Sequence, residues 1–229
     1  MVKAILFDID NTLMDYIEMK SRCCEEAIDA MINAGWKVSR KKALVELYKL
    51  YEIHSMDYEK IFQKLLKKIS GKIDYHILAH GVIQYRKFRE GYLIPYPNTV
   101  KTLLELRKNY KLAVVTDAPS FMAWMRLVSM KLGDFFDVVI TKGDVKKQKD
   151  TLTPFRSALK KLEMKAEDVI MVGDRVSRDV KTPQKIGIKT VYARYGDKKP
   201  LPKGTSGAEF ELQDISELTK VLKIIEKRK

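Results

Sequence analysis

The sequence predicts an α/β fold: a doubly wound, mostly parallel β-sheet with an α-helical bundle inserted after its first strand. Short, continuously apolar and β-branched segments alternate with helical ones, which is typical of parallel strands covered by helices on both faces. The first two apolar segments are separated by a long stretch with helical periodicity. The chain has 229 residues and 45% hydrophobic content, so it is long enough to bury such a core.

Five strands and three helices are predicted for the sheet-containing part. The strands are residues 3–8, 111–117, 137–141, 168–174 and 189–193. One helix runs from Thr153, as N-cap before Pro154, to about residue 162. Another covers residues 121–132, with Ser120 as cap and Gly133 beyond its end. The last begins after Asp214 and ends in the basic tail at residue 229.

The segment between the first two strands predicts four helices. They are residues 16–34, 40–54, 57–70 and 74–90. In the third, apolar residues recur at helical spacing, which indicates one buried stripe: Tyr58, Ile61, Phe62, Leu65, Leu66 and Ile69. We therefore expect a core domain of residues 1–15 and 93–229 and a helical domain of residues 16–92.

Reactive side chains stand where the predicted strands end. They are Asp8 and Asp10 after the first strand, Thr116 after the second, Lys149 after the third, and Asp174 and Asp179 after the fourth. An aspartate past a strand is usually a turn former or helix cap. Open α/β sheets, however, bind ligands at the carboxyl ends of their strands, so the fold brings these residues to one edge.

Several carboxylates in one pocket repel one another unless a cation is bound. The predicted cluster consists of hard oxygen donors with little sulfur or imidazole nearby, and this favours Mg²⁺. The three histidines all lie in the helical segment, which argues against histidine-based catalysis.

The chain resembles the haloacid dehalogenase (HAD) superfamily of phosphotransferases. The resemblance rests on "DIDNT", which contains Asp8 and Asp10, on Thr116, on Lys149 and on "GDRVSRD", which begins with Gly173, in the family's order. It implies a Rossmann-like core, and the helical insert stands where the family's type C1 cap belongs.

The resemblance implies a role for each carboxylate. Asp8 would be the nucleophile that forms an aspartyl-phosphate. Asp10 would protonate the leaving alkoxide and then deprotonate the attacking water. Mg²⁺ would be held by Asp8, the backbone carbonyl of Asp10, and Asp174. Asp179 would orient Lys149 or metal-bound water.

The remaining roles concern phosphate. Thr116 would hydrogen-bond a phosphoryl oxygen and Lys149 would offset negative charge. Backbone N–H groups near Asn11 and Asp117 would also reach the phosphate. Asp150 follows Lys149 where many relatives have proline, so the register rests on the aromatic Phe155 six residues on.

Two assignments remain open. If Lys149 is misassigned, Lys146 and Lys147 are the nearest substitutes. Tyr16, Met19 and Lys20 begin the first helix of the insert, so they are expected either to face the substrate or to be ordinary helix-interface residues.

The expected function is a Mg²⁺-dependent phosphomonoester hydrolase acting on a small phosphorylated metabolite. A 2-haloacid dehalogenase is the first alternative, although it would leave Asp10 without a task, and a sugar-phosphate mutase would use the same parts. A phosphorylation-dependent signalling domain would be shorter and would not need the insert. The substrate and the oligomeric state are not predicted.

The net charge of +14 is spread along most of the helices. Two explanations of this charge are open. The surface is lysine-rich, like that of heat-adapted proteins, or the positive charge attracts phosphorylated substrates. No groove-reading module indicates nucleic acid, and no apolar run is long enough to span a membrane. Cys23 and Cys24 are adjacent and are expected to be reduced, so a cytoplasmic protein is expected.

Overall fold

The computed structural model describes residues 1–227, and the chain forms two compact units. One consists of Met1–Asp15 with the chain from Ile94 onward, and the other is Tyr16–Leu93. The predicted boundary lay one residue earlier, between residues 92 and 93. Residues 228 and 229 of the predicted last helix lie outside the described residues.

The first unit contains a six-stranded sheet in the order β3-β2-β1-β4-β5-β6 with every pairing parallel. Its strands are β1 Ala4–Phe7, β2 Lys111–Val115, β3 Val138–Ile140, β4 Val169–Gly173, β5 Lys189–Ala193 and β6 Phe210–Leu212. The doubly wound parallel sheet is therefore confirmed. The sequence did not predict β6, because this strand is only three residues long and includes Glu211.

Helices cover the sheet. They are α5 Thr99–Leu106, α6 Ser120–Ser129, α7 Lys142–Val145, α8 Thr153–Leu162, α9 Lys181–Gln184 and α10 Glu217–Lys227. Two predicted caps differ. Ser120 is the first residue of α6, and its hydroxyl lies 2.6 Å from Thr141 Oγ1. Leu152 precedes α8 as its N-cap, so Thr153 is already helical.

The central strands are buried on both faces. All four residues of β1 are buried, as are all five of β4. Side chains from one face of the sheet pack with α8 through Phe155, Ala158 and Leu162. This double burial explains why these strands have continuous apolar sequences rather than alternating ones.

The second unit is a bundle of four helices: α1 Tyr16–Asn33, α2 Arg40–His54, α3 Ile61–Ser70 and α4 Tyr75–Tyr92. Its core includes the fully buried Leu47 and Leu65. The third helix begins at Ile61, so Tyr58 of the predicted stripe precedes it. Gly81 of α4 packs closely on α1. A Cβ at this position would lie only 2.6 Å from Met31 Cγ, so a larger residue would not fit without a shift.

The described helices are not of the membrane-spanning kind. Within residues 1–227, none combines the length and the apolar character that crossing a bilayer requires.

Candidate active site

The sheet brings the predicted site residues to one edge. Strand β1 lies between β2 and β4. The N–H of Asp8 donates to Val172 O at 3.0 Å, and the N–H of Thr116 donates to Ile140 O at 2.9 Å. Strand pairing thus continues up to these two residues. Asp8, Thr116 and Asp174 follow three neighbouring strands, where open α/β sheets bind ligands.

Lys149 lies between two carboxylates. Its ammonium is 2.7 Å from Asp8 Oδ1 and 2.7 Å from Asp179 Oδ1, and its side chain is only 2% exposed. Burial alone would lower the pKa of Lys149, but the attraction of Asp179 and Asp8 outweighs burial and raises it. Lys149 is therefore charged at neutral pH. It is also buried, whereas the two alternative lysines, Lys146 and Lys147, are exposed to solvent.

Three carboxylates gather in the same place. One oxygen from each of Asp8, Asp174 and Asp179 lies within 4.8 Å of the others, and all three residues are buried. Burial, followed by repulsion from Asp8 and Asp179, raises the pKa of Asp174 to about 8. Burial also raises the pKa of Asp179 to about 6, against the lowering effect of Lys149.

These donors fit a hard divalent cation. The cluster offers only carboxylate oxygens, which suit ions such as Mg²⁺, and one ammonium does not neutralise three acids. Asp10 does not contribute its side chain to this group. Its predicted contribution is its backbone carbonyl, and the ligand set of Asp8, Asp10 and Asp174 stays a prediction.

Asp179 is held by its own loop. It lies in a π-helical turn, Val176–Val180, where its Oδ2 accepts a hydrogen bond from the N–H of Arg175 at 2.9 Å. A Cβ at Gly173 would lie 2.4 Å from Asp179 Cγ, so only glycine leaves room for this carboxylate. Its other oxygen is then free to meet Lys149.

Asp117 connects three loops of the site. Its Oδ1 accepts from the N–H of Lys149 at 2.7 Å, and its Oδ2 accepts from Arg178 Nη1 at 2.8 Å. The side chain therefore fixes the backbone that carries the lysine. Next to it, Thr116 Oγ1 accepts from the N–H of Ala118 at 3.2 Å. The predicted phosphate contacts of Thr116 and of the backbone near Asp117 stay predictions.

The loop after β1 is supported by the loop after β5. Asn11 is buried, and its backbone adopts the left-handed conformation with a φ of 58°. Tyr195 donates its hydroxyl to Thr12 O at 2.7 Å. A Cβ at Gly196 would lie 1.5 Å from Asn11 O, so the two backbones touch. The phosphate contact predicted near Asn11 depends on this support.

Asp10 pairs with an arginine that sequence reasoning missed. Arg126 Nη1 of α6 lies 3.1 Å from Asp10 Oδ2, and the arginine side chain is 5% exposed. Arg178 was also missed, although it lies inside the quoted "GDRVSRD". The sequence gives no comparable signal for Arg126, because a helical arginine is normally exposed.

The predicted substrate residues of α1 are buried in the helical unit. Tyr16 donates its hydroxyl to Asp57 Oδ1 at 3.0 Å, and Met19 is 3% exposed. Lys20 donates to the hydroxyl of Tyr85 at 2.8 Å. Contact of these three residues with a substrate stays a prediction.

Comparisons with known proteins relate the whole chain to one family. The model of the haloacid dehalogenase-like hydrolase family matches residues 5–193. Over 228 residues, the chain is 34% identical to a glyceraldehyde 3-phosphate phosphatase of Methanocaldococcus jannaschii, covering 99% of this chain and 100% of the relative. A Pyrococcus furiosus protein of the same name is 31% identical over 227 residues, covering 99% and 94%.

A solved structure extends the similarity to the fold. The crystal structure of a HAD phosphatase from Thermococcus onnurineus matches with a TM-score of 0.71 at 26% identity. The match covers 96% of this chain and 98% of that one.

The raised pKa of Asp174 predicts how stability varies with pH. The folded value of about 8 lies above the ordinary 3.8, so the folded state binds the extra proton. Its stabilising contribution is complete below about pH 4 and is lost as pH rises through about 8. We expect the Tm of the wild type in EDTA to fall more than that of Asp174→Asn between about pH 5.5 and pH 8.5.

Scanning fluorimetry with added Mg²⁺ completes this test. Near pH 8, Mg²⁺ should raise the Tm of the wild type and have little effect on Asp174→Asn. Equal Mg²⁺ shifts in the two proteins would contradict the assigned ligand.

The contact between Gly196 and Asn11 predicts that Gly196→Ala will be severe. The added methyl would overlap a backbone oxygen, so the loop that follows Asp8 must move. We expect a loss of at least about 10²-fold in kcat, since displacements of about 1 Å have effects of this size. Gly91→Ala is the matched control, because nothing lies within 4 Å of a Cβ there; similar losses in both variants would refute the prediction.

Proposed function

The chain belongs to the haloacid dehalogenase-like hydrolases, and we propose that it is a Mg²⁺-dependent phosphatase of small phosphomonoesters. The observation that carries this proposal is the placement of Asp8. Its carboxylate is buried, paired with Lys149 at 2.7 Å, and grouped with Asp174 and Asp179. A nucleophilic carboxylate beside a cation and a metal-binding cluster suits attack on a phosphate dianion.

The proposed reaction has two steps. In the first, an oxygen of Asp8 attacks phosphorus, the ester P–O bond breaks, and the departing alkoxide takes a proton from Asp10. In the second, Asp10 takes a proton from water, the water oxygen attacks phosphorus, and the bond from Asp8 to phosphorus breaks. Inorganic phosphate leaves, and both carboxyl groups return to their starting states.

The neighbouring groups stabilise charge. Lys149 offsets the charge of Asp8 and of the phosphoryl oxygens, and the Thr116 hydroxyl donates to one of those oxygens. Mg²⁺, held by Asp8, Asp174 and the backbone carbonyl of Asp10, would reduce the repulsion between the nucleophile and the phosphate. Asp179 keeps Lys149 directed at Asp8 through its 2.7 Å ion pair.

Glyceraldehyde 3-phosphate is the first substrate to test. Two relatives of that name align over 99% of this chain, and the net charge of +14 favours anionic substrates in general. A cytoplasmic location stays a prediction. It agrees with Cys23 and Cys24, which are both free and buried; burial raises the pKa of the Cys23 thiol to about 12.

The activity itself is tested by phosphate release from a panel of metabolites with and without Mg²⁺. We expect hydrolysis of glyceraldehyde 3-phosphate to require Mg²⁺ and to be abolished in Asp8→Asn, because an amide oxygen is a poor nucleophile. Asp134→Asn removes an exposed carboxyl and should behave as the wild type. Undiminished phosphate release in EDTA would contradict the Mg²⁺ requirement. Halide release from a 2-haloacid in EDTA, without phosphate release from the panel, would instead support a dehalogenase, which needs no metal.

Asp10→Asn should lose about 10² to 10⁴-fold in turnover of an alkyl phosphate, the usual range for a general acid or base. Binding of Mg²⁺ and inorganic phosphate should persist, since the substitution removes proton transfer and keeps the backbone carbonyl. Calorimetry and steady-state kinetics measure the two effects separately. Unchanged turnover would remove Asp10 from the mechanism.

A further inference from the structure

We propose that Arg126 is a positioning residue that holds the carboxyl group of Asp10 in place for proton transfer. This inference rests on the proposed phosphatase reaction and adds a residue to it. The contact is the ion pair of 3.1 Å between Arg126 Nη1 and Asp10 Oδ2. Asp10 is partly exposed, with 24% of its side chain accessible, whereas the arginine is 5% exposed.

Helix α6 buries the face that carries Arg126. Its buried residues are Ala123, Arg126 and Leu127. Three of its large apolar residues are exposed instead: Phe121 by 69%, Trp124 by 43% and Val128 by 64%. Amphipathic packing alone would bury the apolar stripe and leave the arginine in water. The orientation of α6 is therefore the one that directs the guanidinium at Asp10.

A buried guanidinium is costly unless it is paired. Three cations near the site pair with different carboxylates: Lys149 with Asp8 and Asp179, Arg178 with Asp117, and Arg126 with Asp10. The nucleophile and the proton-transferring acid thus have separate partners. Loss of Arg126 would leave the pairing of Asp8 intact and remove this ion pair from Asp10.

The planar guanidinium restricts its partner more than an ammonium does, because its donors form a rigid fork. Asp10 must direct one oxygen at the leaving group, and proton transfer is sensitive to small displacements. Arg126 acts through Asp10 and does not take part in bond making or breaking. The loss of activity on removing Arg126 should therefore be larger for substrates whose leaving group must be protonated by Asp10.

Leaving groups of different basicity test this dependence. The p-nitrophenolate anion departs without a proton, whereas an alkoxide requires one. We expect Arg126→Met to lower kcat/KM for the alkyl phosphate that the wild type cleaves fastest by about 10 to 100-fold. For p-nitrophenyl phosphate, the loss should be no more than about threefold. Arg126→Lys should fall between the wild type and Arg126→Met.

A double-mutant cycle gives an independent readout. Adding Arg126→Met to Asp10→Asn should cause little further loss on the alkyl phosphate, because the arginine acts through that carboxyl. Arg156→Met, which removes an exposed arginine from α8, is the matched control. Circular dichroism and Tm establish that each variant is folded, and Arg126→Lys carries the substrate comparison if Arg126→Met does not fold.

The outcomes separate the two proposals. Equal losses on both substrates, or additive losses in the cycle, would show a structural role for Arg126 and overturn this inference. A gain in activity would mean that the ion pair restrains Asp10 unproductively, and it would also overturn the inference. Wild-type protein without Mg²⁺-dependent phosphatase activity would instead overturn the proposed function.

Discussion

The structure depends on the buried ammonium of Lys149. Three carboxylates meet at the carboxyl edge of the sheet, and Lys149 lies 2.7 Å from two of them, Asp8 and Asp179. Without this cation, the strand ends would bring like charges together inside the protein, at a cost of several kcal/mol for each buried ion. Burial, followed by repulsion from Asp8 and Asp179, raises the pKa of Asp174, so one ammonium compensates only part of the cost of gathering these carboxylates.

The loops around the site follow from that requirement. Asp117 fixes the backbone N–H of Lys149, and its second oxygen meets Arg178. Gly173 leaves the space that Asp179 occupies. The charged residues are therefore held by short contacts between consecutive loops rather than by the sheet alone. Such support is what keeps a reactive group within the narrow range of useful geometries.

The sequence predicted the strands β1 to β5, for a physical reason. Buried parallel strands require continuous apolar runs, and β5 has the predicted bounds of 189–193. Strand β6 and the orientation of α6 were not predictable. A three-residue strand with a central glutamate lacks the apolar signal, and periodicity places Arg126 in solvent. The ion pair with Asp10 offsets the cost of burying the Arg126 guanidinium, and that contact joins residues far apart in sequence.

The contact between Gly196 and Asn11 also bears on the order in which the site is assembled as the chain is synthesised. The strand before Asn11 is synthesised before the other described strands, but the loop that follows it is supported by residues much later in the sequence. The hydrogen bond from Tyr195 to Thr12 spans 183 positions. A growing chain that has released only its first half lacks this support. The contacts that support the loop after Asp8 are therefore completed late, after the last third of the polypeptide has docked.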